Sequence, residues 1–172
     1  SLNPTHQSSI VGATVASRFM PTLRLDAITP MSDIVSALNQ FRPDALVGYA
    51  SILRELAQEQ AAGRLLVQPR AVMSASEVLT DETRRRVEAA WGHGPFNQYG
   101  ATETANIAAE CREGHRLHLY EDLVITEVVD EQYRPVPMGE AGAKILVTPL
   151  FSRTQPLIRY ELGDRVTLLA QP

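Results

Sequence analysis

Residues 70–100 read RAVMSASEVLTDETRRRVEAAWGHGPFNQYG, and this stretch decides the fold. Arg70 to Ser74 is a short β-prone run. Thr80 offers a hydroxyl to cap the start of a helix, Asp81 and Glu82 fall in its first turn, where carboxylates suit the positive end of the helix dipole, and the helix runs to Trp91. Pro95 to Tyr99 gives a second short strand. A strand, a helix and a strand packed this tightly predict a right-handed crossover between parallel strands.

The same grammar extends upstream. Ser32 or Asp33 is placed to cap a helix whose Ile34, Val35, Leu38 and Phe41 share one face, and Pro43 ends it. Asp44 to Tyr49 is a short apolar strand. Ile52, Leu53, Leu56 and Ala57 mark a further helix closing near Gly63. Still earlier, Ile10, Val11, Val15 and Phe19 recur at helical spacing behind Ser8 and Ser9 until Pro21, and Thr22 to Ile28 reads as a strand. The expected class is α/β: a parallel sheet of βαβ units with flanking helices, continuing to about Cys111.

Past Cys111 the pattern changes. Leu117 to Tyr120, Leu123 to Val129, Ala143 to Thr148 and Arg165 to Leu169 are β-prone runs separated by Pro135, Pro137-Met138-Gly139 and Gly142. A smaller, mostly antiparallel β-rich lobe is expected there. The polar stretch Glu110 to Arg116 marks the change, which gives an α/β subdomain over 1–112 and a β-rich lobe over 113–172.

Composition narrows the function classes. The 172 residues are 44% hydrophobic and 21% charged, ordinary for a chain that buries one core. With a net charge of −4 there is no basic surface for nucleic acid. The run Arg84-Arg85-Arg86 is interleaved with Asp81, Glu82 and Glu88 and reads as a solvated helix face. No apolar run approaches the roughly 20 residues a membrane span needs, and Ser1 to Met20 lacks a signal-peptide layout. A single cysteine, Cys111, makes no internal disulfide and suits a reducing compartment, so a cytoplasmic protein is expected.

In an open α/β sheet, ligands sit beyond the carboxyl ends of the strands. Three segments fall there: Gly48-Tyr49-Ala50-Ser51, Ser74-Ala75-Ser76-Glu77, and Asn97-Gln98-Tyr99-Gly100-Ala101-Thr102-Glu103. They are expected to line one cleft. In the third, a Tyr ring can stack on a base, Gly permits close backbone approach, and Thr-Glu supplies a hydroxyl and a carboxylate for a hard cation, a set that suits a nucleotide with magnesium. By itself the string also fits a Tyr-Gly turn followed by a Thr-Glu helix cap. Cys111, His115 and His118 form a separate candidate, a structural zinc site lacking an evident fourth ligand; a small buried cysteine and half-exposed histidines are the plainer reading.

Two segments taken together carry a resemblance. Asn97-x-Tyr99-Gly100-x-Thr102-Glu103, followed by Ile158-Arg159-Tyr160-Glu161-Leu162-Gly163-Asp164, resembles the adenylate-forming superfamily of acyl-CoA synthetases, peptide-synthetase adenylation domains and luciferases. Gly48-Tyr49-Ala50-Ser51, Ser76-Glu77, Ala109-Glu110-Cys111 with Leu117-His118-Leu119, and the Arg159-Tyr160 pair make it most similar to the phenylacetate-CoA ligase family, from about Thr22 onward.

That resemblance implies roles. Asn97 would bond the adenine, Tyr99 would stack on it, Gly100 would line the nucleotide, Thr102 would contact phosphate, Glu103 would bind Mg2+ and Asp164 would hold the ribose hydroxyls. Ser76 and Glu77 would line the adenine and acyl side, with Tyr49, Ser51 and Ala101 near the acyl group. The implied reaction joins a carboxylic acid to AMP from ATP, releasing pyrophosphate, and then transfers the acyl group to the thiol of coenzyme A; Thr102 and Glu103 are the catalytic candidates.

Relatives often carry Thr at the position of Leu162 and a residue of opposite charge at Glu161. The superfamily's Ser/Thr/Gly-rich phosphate loop is expected before residue 1 and its lysine-bearing C-terminal domain after Pro172, so the isolated chain is expected to form no acyl-CoA. The rival reading is a non-catalytic α/β binding or regulatory module using the same sheet edge. Saturable AMP or ATP binding separates the two.

Overall fold

The computed structural model describes residues 19–111 and 113–170, so the helix read at Ser8 to Met20 falls almost wholly outside it. The described residues pack as two compact units that divide between Asn97 and Gln98.

In the first unit, helix α1 (Met31–Phe41) is followed by strand β1 (Ala45–Gly48), helix α2 (Ala50–Ala61), strand β2 (Ala71–Ala75) and helix α3 (Asp81–Trp91). Strands β1 and β2 pair in parallel, with Leu46 opposite Val72 and Gly48 opposite Ser74. Helix periodicity translates directly into packing: Ile34, Val35 and Leu38 of α1, Leu53 and Leu56 of α2 and Val87 and Trp91 of α3 close over Leu46 and Val72 in one core. The opposite face of the strand pair is open, with Val47 69% and Met73 36% exposed in matching register.

The helix ends follow local chemistry. Thr80 Oγ1 accepts from Thr83 N at 3.2 Å, and Gly92 closes α3 in the left-handed conformation (φ 79°) that glycine adopts without strain. At α1 the cap is Pro30, whose carbonyl accepts from the amides of Asp33 and Ile34; Ser32 and Asp33, the two residues expected as caps, lie inside the first turn. Thr22 to Ile28 does not form the expected strand. Asp26 turns the chain instead, its side chain accepting from Ile28 N at 3.3 Å and its carbonyl from Thr29 N at 3.0 Å, and Ile28 is 89% exposed.

Strand β3 (Phe96–Ala101) leads into the second unit. There β3, β4 (Ala105–Cys111) and β5 (Gly114–Leu119) form an antiparallel meander, with Tyr99 opposite Ala108 and Ala109 opposite His118. The parallel grammar expected to reach Cys111 therefore ends at β3, because the chain reverses over Thr102 to Thr104. Strand β4 escaped the reading because its Ala and Asn residues have low β propensity.

A second sheet, β6 (Val124–Val129), β7 (Lys144–Pro149) and β8 (Tyr160–Leu162), is antiparallel throughout, as expected of the β-rich lobe. Val124, Val128, Ile145 and Val147 pack with Ile107, Tyr99 and Leu162. Arg165 to Leu169 is not a strand. It makes one bridge, Thr167 to Ala141, and its carbonyls at Val166 and Leu168 accept from Gly142 and Gly139. Among the described residues no helix is long and apolar enough to cross a membrane.

Candidate functional site

The turn joining β3 to β4 carries the richest chemistry. Register slips between Tyr99 and Gly100, where a bulge bends β3. A Cβ on Gly100 would run into the carbonyl oxygen of Ala105, so the glycine read as a point of ligand approach is required first by the chain's own turn. Ala105 takes the left-handed conformation (φ 56°), and Thr104 is fully buried with no partner for its Oγ1. Thr102 and Glu103 are left exposed at the tip.

Two phenol–carboxylate bonds tie this turn to β8 and the residues after it. Tyr99 OH donates to Asp164 Oδ2 at 2.7 Å, and Tyr160 OH donates to Glu103 Oε1 at 2.9 Å. Each segment thus contributes one tyrosine and one acid, crosswise. The Tyr99 ring packs into the second core; burial first, and then the Asp164 carboxylate, push its phenol well above the usual tyrosine range. The Tyr160 phenol is also pushed up, chiefly by its bond to Glu103.

The strand that presents Tyr160 is anchored on either side of it. Tyr160 lies opposite Val147 and Glu161 opposite Leu146, so the two point to different faces. Glu161 accepts from Tyr133 OH at 2.6 Å and from Lys144 Nζ at 3.4 Å, and these bonds, Tyr133 foremost, hold its carboxyl below the usual range. Lys144 also sits 4.4 Å above the Tyr133 ring. Arg159, left-handed at φ 51°, donates its amide to Thr148 Oγ1 at 2.9 Å and its Nε to Glu127 at 3.1 Å. Glu161 is therefore paired with Lys144 of the adjacent strand and with Tyr133 of the β6–β7 connection.

In the first unit the other two segments meet. Glu77 Oε2 accepts from Ser51 N at 2.8 Å and Oε1 from Ser51 Oγ at 3.0 Å. The carboxylate caps α2, whose N-cap residue Tyr49 makes no side-chain cap bond. Ser76 is left-handed (φ 65°) and exposed, Tyr49 is 41% exposed, and Ser74 Oγ is buried without a partner. A helix capped by an acid from the next strand's end is not signalled by local pattern. Asn97 sits near the start of β3 and Ala101, opposite Ala105, at its end.

The zinc candidates are not brought together. His115 and His118 are three apart on β5, which sends them to opposite faces, and Cys111 is exposed on β4. Among the described residues no group of three His, Cys, Asp or Glu side chains is arranged to hold a metal. His93 Nε2 lies 3.0 Å from the Pro69 carbonyl oxygen, a structural contact.

An α/β unit followed in the chain by antiparallel sheets is a fold shared with solved acyl-CoA ligases. A 2-hydroxyisobutyryl-CoA ligase solved with an acyl-AMP and CoA superimposes with a TM-score of 0.69 at 24% identity, over 83% of this chain and 35% of that one. ATP-bound MatB from Rhodopseudomonas palustris matches with a TM-score of 0.54 at 25% identity, over 76% of this chain and 26% of that one.

In sequence the chain is similar to phenylacetate-coenzyme A ligases and to Protein CapK. It is 29% identical to a phenylacetate-coenzyme A ligase of Thermus thermophilus over 139 residues, 76% of this chain and 31% of the relative. It is 30% identical to Protein CapK of Staphylococcus aureus over 136 residues, 78% of this chain and 28% of the relative. The chain thus spans under a third of the length of these two relatives. No family model matches it.

Proposed function

We propose that this chain is the nucleotide-binding part of an ATP-dependent carboxylate–CoA ligase, with residues 1–112 its α/β subdomain and 113–172 its β-rich lobe, acting in the cytoplasm on a carboxylic acid, ATP and coenzyme A. The observation that carries the reading is the crossed pairing of Tyr99 with Asp164 and of Glu103 with Tyr160. It brings together the two segments that the resemblance assigns to one nucleoside.

The roles implied by the resemblance are supported by where these residues lie. Tyr99 is anchored by its core contacts and its phenol, so its ring is a pre-ordered stacking surface for adenine. Asp164, exposed beside that phenol, is the acceptor for ribose hydroxyls. Thr102 at the exposed tip offers its hydroxyl and amide to phosphate, and Asn97 bonds the base. Ser76 and Tyr49 border the acyl side; Ser51 and Glu77 there act mainly by fixing the start of α2.

Glu103 fits magnesium, which is commonly held by one or two carboxylates together with substrate phosphates rather than by a protein cage. Its Oε1 is taken by Tyr160, which leaves Oε2 for the cation. When bound, the cation neutralises charge on the phosphate oxygens as the acid attacks. The chain's own residues orient the nucleoside and phosphates, which is most of what such displacements require.

The test is calorimetric AMP binding, together with acid-dependent pyrophosphate release and acyl-CoA formation, in the full-length protein. Saturable AMP binding and acid-dependent release are expected. A folded protein that binds neither AMP nor ATP would hand the site to the non-catalytic binding-module reading.

A further inference from the structure

We propose that Tyr160 is a positioning residue for Mg2+: its phenol holds Glu103 by Oε1, so that Oε2 is presented to the cation on the ATP phosphates. This rests on the nucleotide-site reading above and adds a specific device to it.

Glu103 lies at an exposed turn tip. A glutamate there samples many rotamers, and a cation that captures it must freeze all of them, an entropic cost that falls on metal binding. Tyr160 removes part of that cost beforehand. Its OH is 2.9 Å from Oε1 across a separation of 57 residues, so the contact belongs to the fold rather than to local sequence.

Tyr160 can do this because β8 is itself fixed. Its neighbour Arg159 is bound to Thr148 and Glu127, and its other neighbour Glu161 to Tyr133 and Lys144. With Val147 opposite it, the tyrosine projects from a strand held on both sides. The phenol is thereby a fixed post, and the carboxylate is the movable partner.

One effect opposes this. A donated hydrogen bond draws electron density from the carboxylate and weakens it as a metal ligand. An exposed carboxylate without Tyr160 would take the same kind of bond from water, so that loss nearly cancels. The positional gain has no such substitute, and positioning wins.

The experiment uses the full-length protein and the gain in ATP affinity on adding Mg2+, read by calorimetry. Metal-free AMP affinity serves as the parallel measurement. For Tyr160→Phe the Mg2+-dependent gain should shrink roughly three- to tenfold, the scale of one hydrogen bond and its frozen rotamers, while metal-free AMP affinity stays within about twofold. Glu103→Gln should remove most of the gain, and adding Tyr160→Phe to it should change nothing further.

A Tyr160→Phe gain equal to or larger than the parent's overturns the proposal, because the phenol is then idle or a competitor of the cation. Loss of metal-free AMP binding in Tyr160→Phe also overturns it, by showing a structural post alone. A parent that binds no AMP sinks the nucleotide-site reading instead, and a parent that binds AMP but gains nothing from Mg2+ sinks the metal role of Glu103 and this proposal with it.

Discussion

Replacing Asp164 with alanine removes the acceptor of the Tyr99 phenol, 2.7 Å away, and on the proposed reading the acceptor of the ribose hydroxyls as well. A hydrogen bond to a charged group is worth about 1.5–3 kcal/mol where water is excluded. Asp164 is exposed, so the lower end applies, and about 1.5 kcal/mol corresponds to a roughly tenfold weaker AMP affinity. Tyr99→Phe offers the contrast: it keeps the ring and frees the carboxylate, so AMP affinity should move by less than about threefold. Calorimetry on the full-length protein, with circular dichroism to show that each variant is folded, reads both numbers. A folded Asp164→Ala variant that binds AMP as the parent does would refute the ribose assignment and the reasoning built on the crossed pair.

Three further outcomes are expected. Gly100→Ala places a Cβ against the Ala105 carbonyl and should lower unfolding stability by about 1–3 kcal/mol, read by thermal melting; an unchanged melting temperature would show that the bulge relaxes freely. Tyr99 should ionise later than an ordinary tyrosine in an alkaline absorbance titration: its folded-state proton is held above the usual range by burial and Asp164, so its contribution to stability is whole below about pH 10 and fades as pH rises through the folded value. Glu103→Gln should slow acid-dependent pyrophosphate release by at least about tenfold while shifting AMP affinity by less than about threefold; equal losses in both would mean that Glu103 serves binding alone.

Helices were the most legible part of this sequence, for a physical reason. The apolar faces of α1 and α2 recur at helical spacing, closed by Pro43 and Gly63, and α3 is announced by its Thr80 cap and the acids of its first turn. The parallel pair β1–β2 followed from those helices. Strand pairing further along was not legible, because it depends on partners distant in sequence. The residues of β4 look like loop until β3 and β5 sit on either side of them, and Arg165 to Leu169 has strand-like composition yet spends its carbonyls on two glycines. Of the candidate site, the residue types were readable and their engagements were not: Glu77 is committed to Ser51, and Gly100 to its own turn.

The crossed tyrosine–acid pairs show what sequence order contributes and where it stops. Tyr99 lies on the first strand of a hairpin and Glu103 in its turn, Tyr160 and Asp164 are separated by the end of a short strand, and the two segments lie 57 and 65 residues apart along their contacts. Whether they meet is decided by the register of β8 against β7. Side chains alternate along a strand, so a slip of one residue would turn Tyr160 away and send Glu161 toward the Glu103 turn, placing acid against acid. The bonds of Arg159 to Glu127 and of Glu161 to Tyr133 and Lys144 oppose that slip, because each needs the present register to form. The acid at 161 is on this account a register anchor on the face away from Glu103, and its pairing with Lys144 and Tyr133 is what allows a negative residue to stand there without disturbing the carboxylates the nucleotide would use.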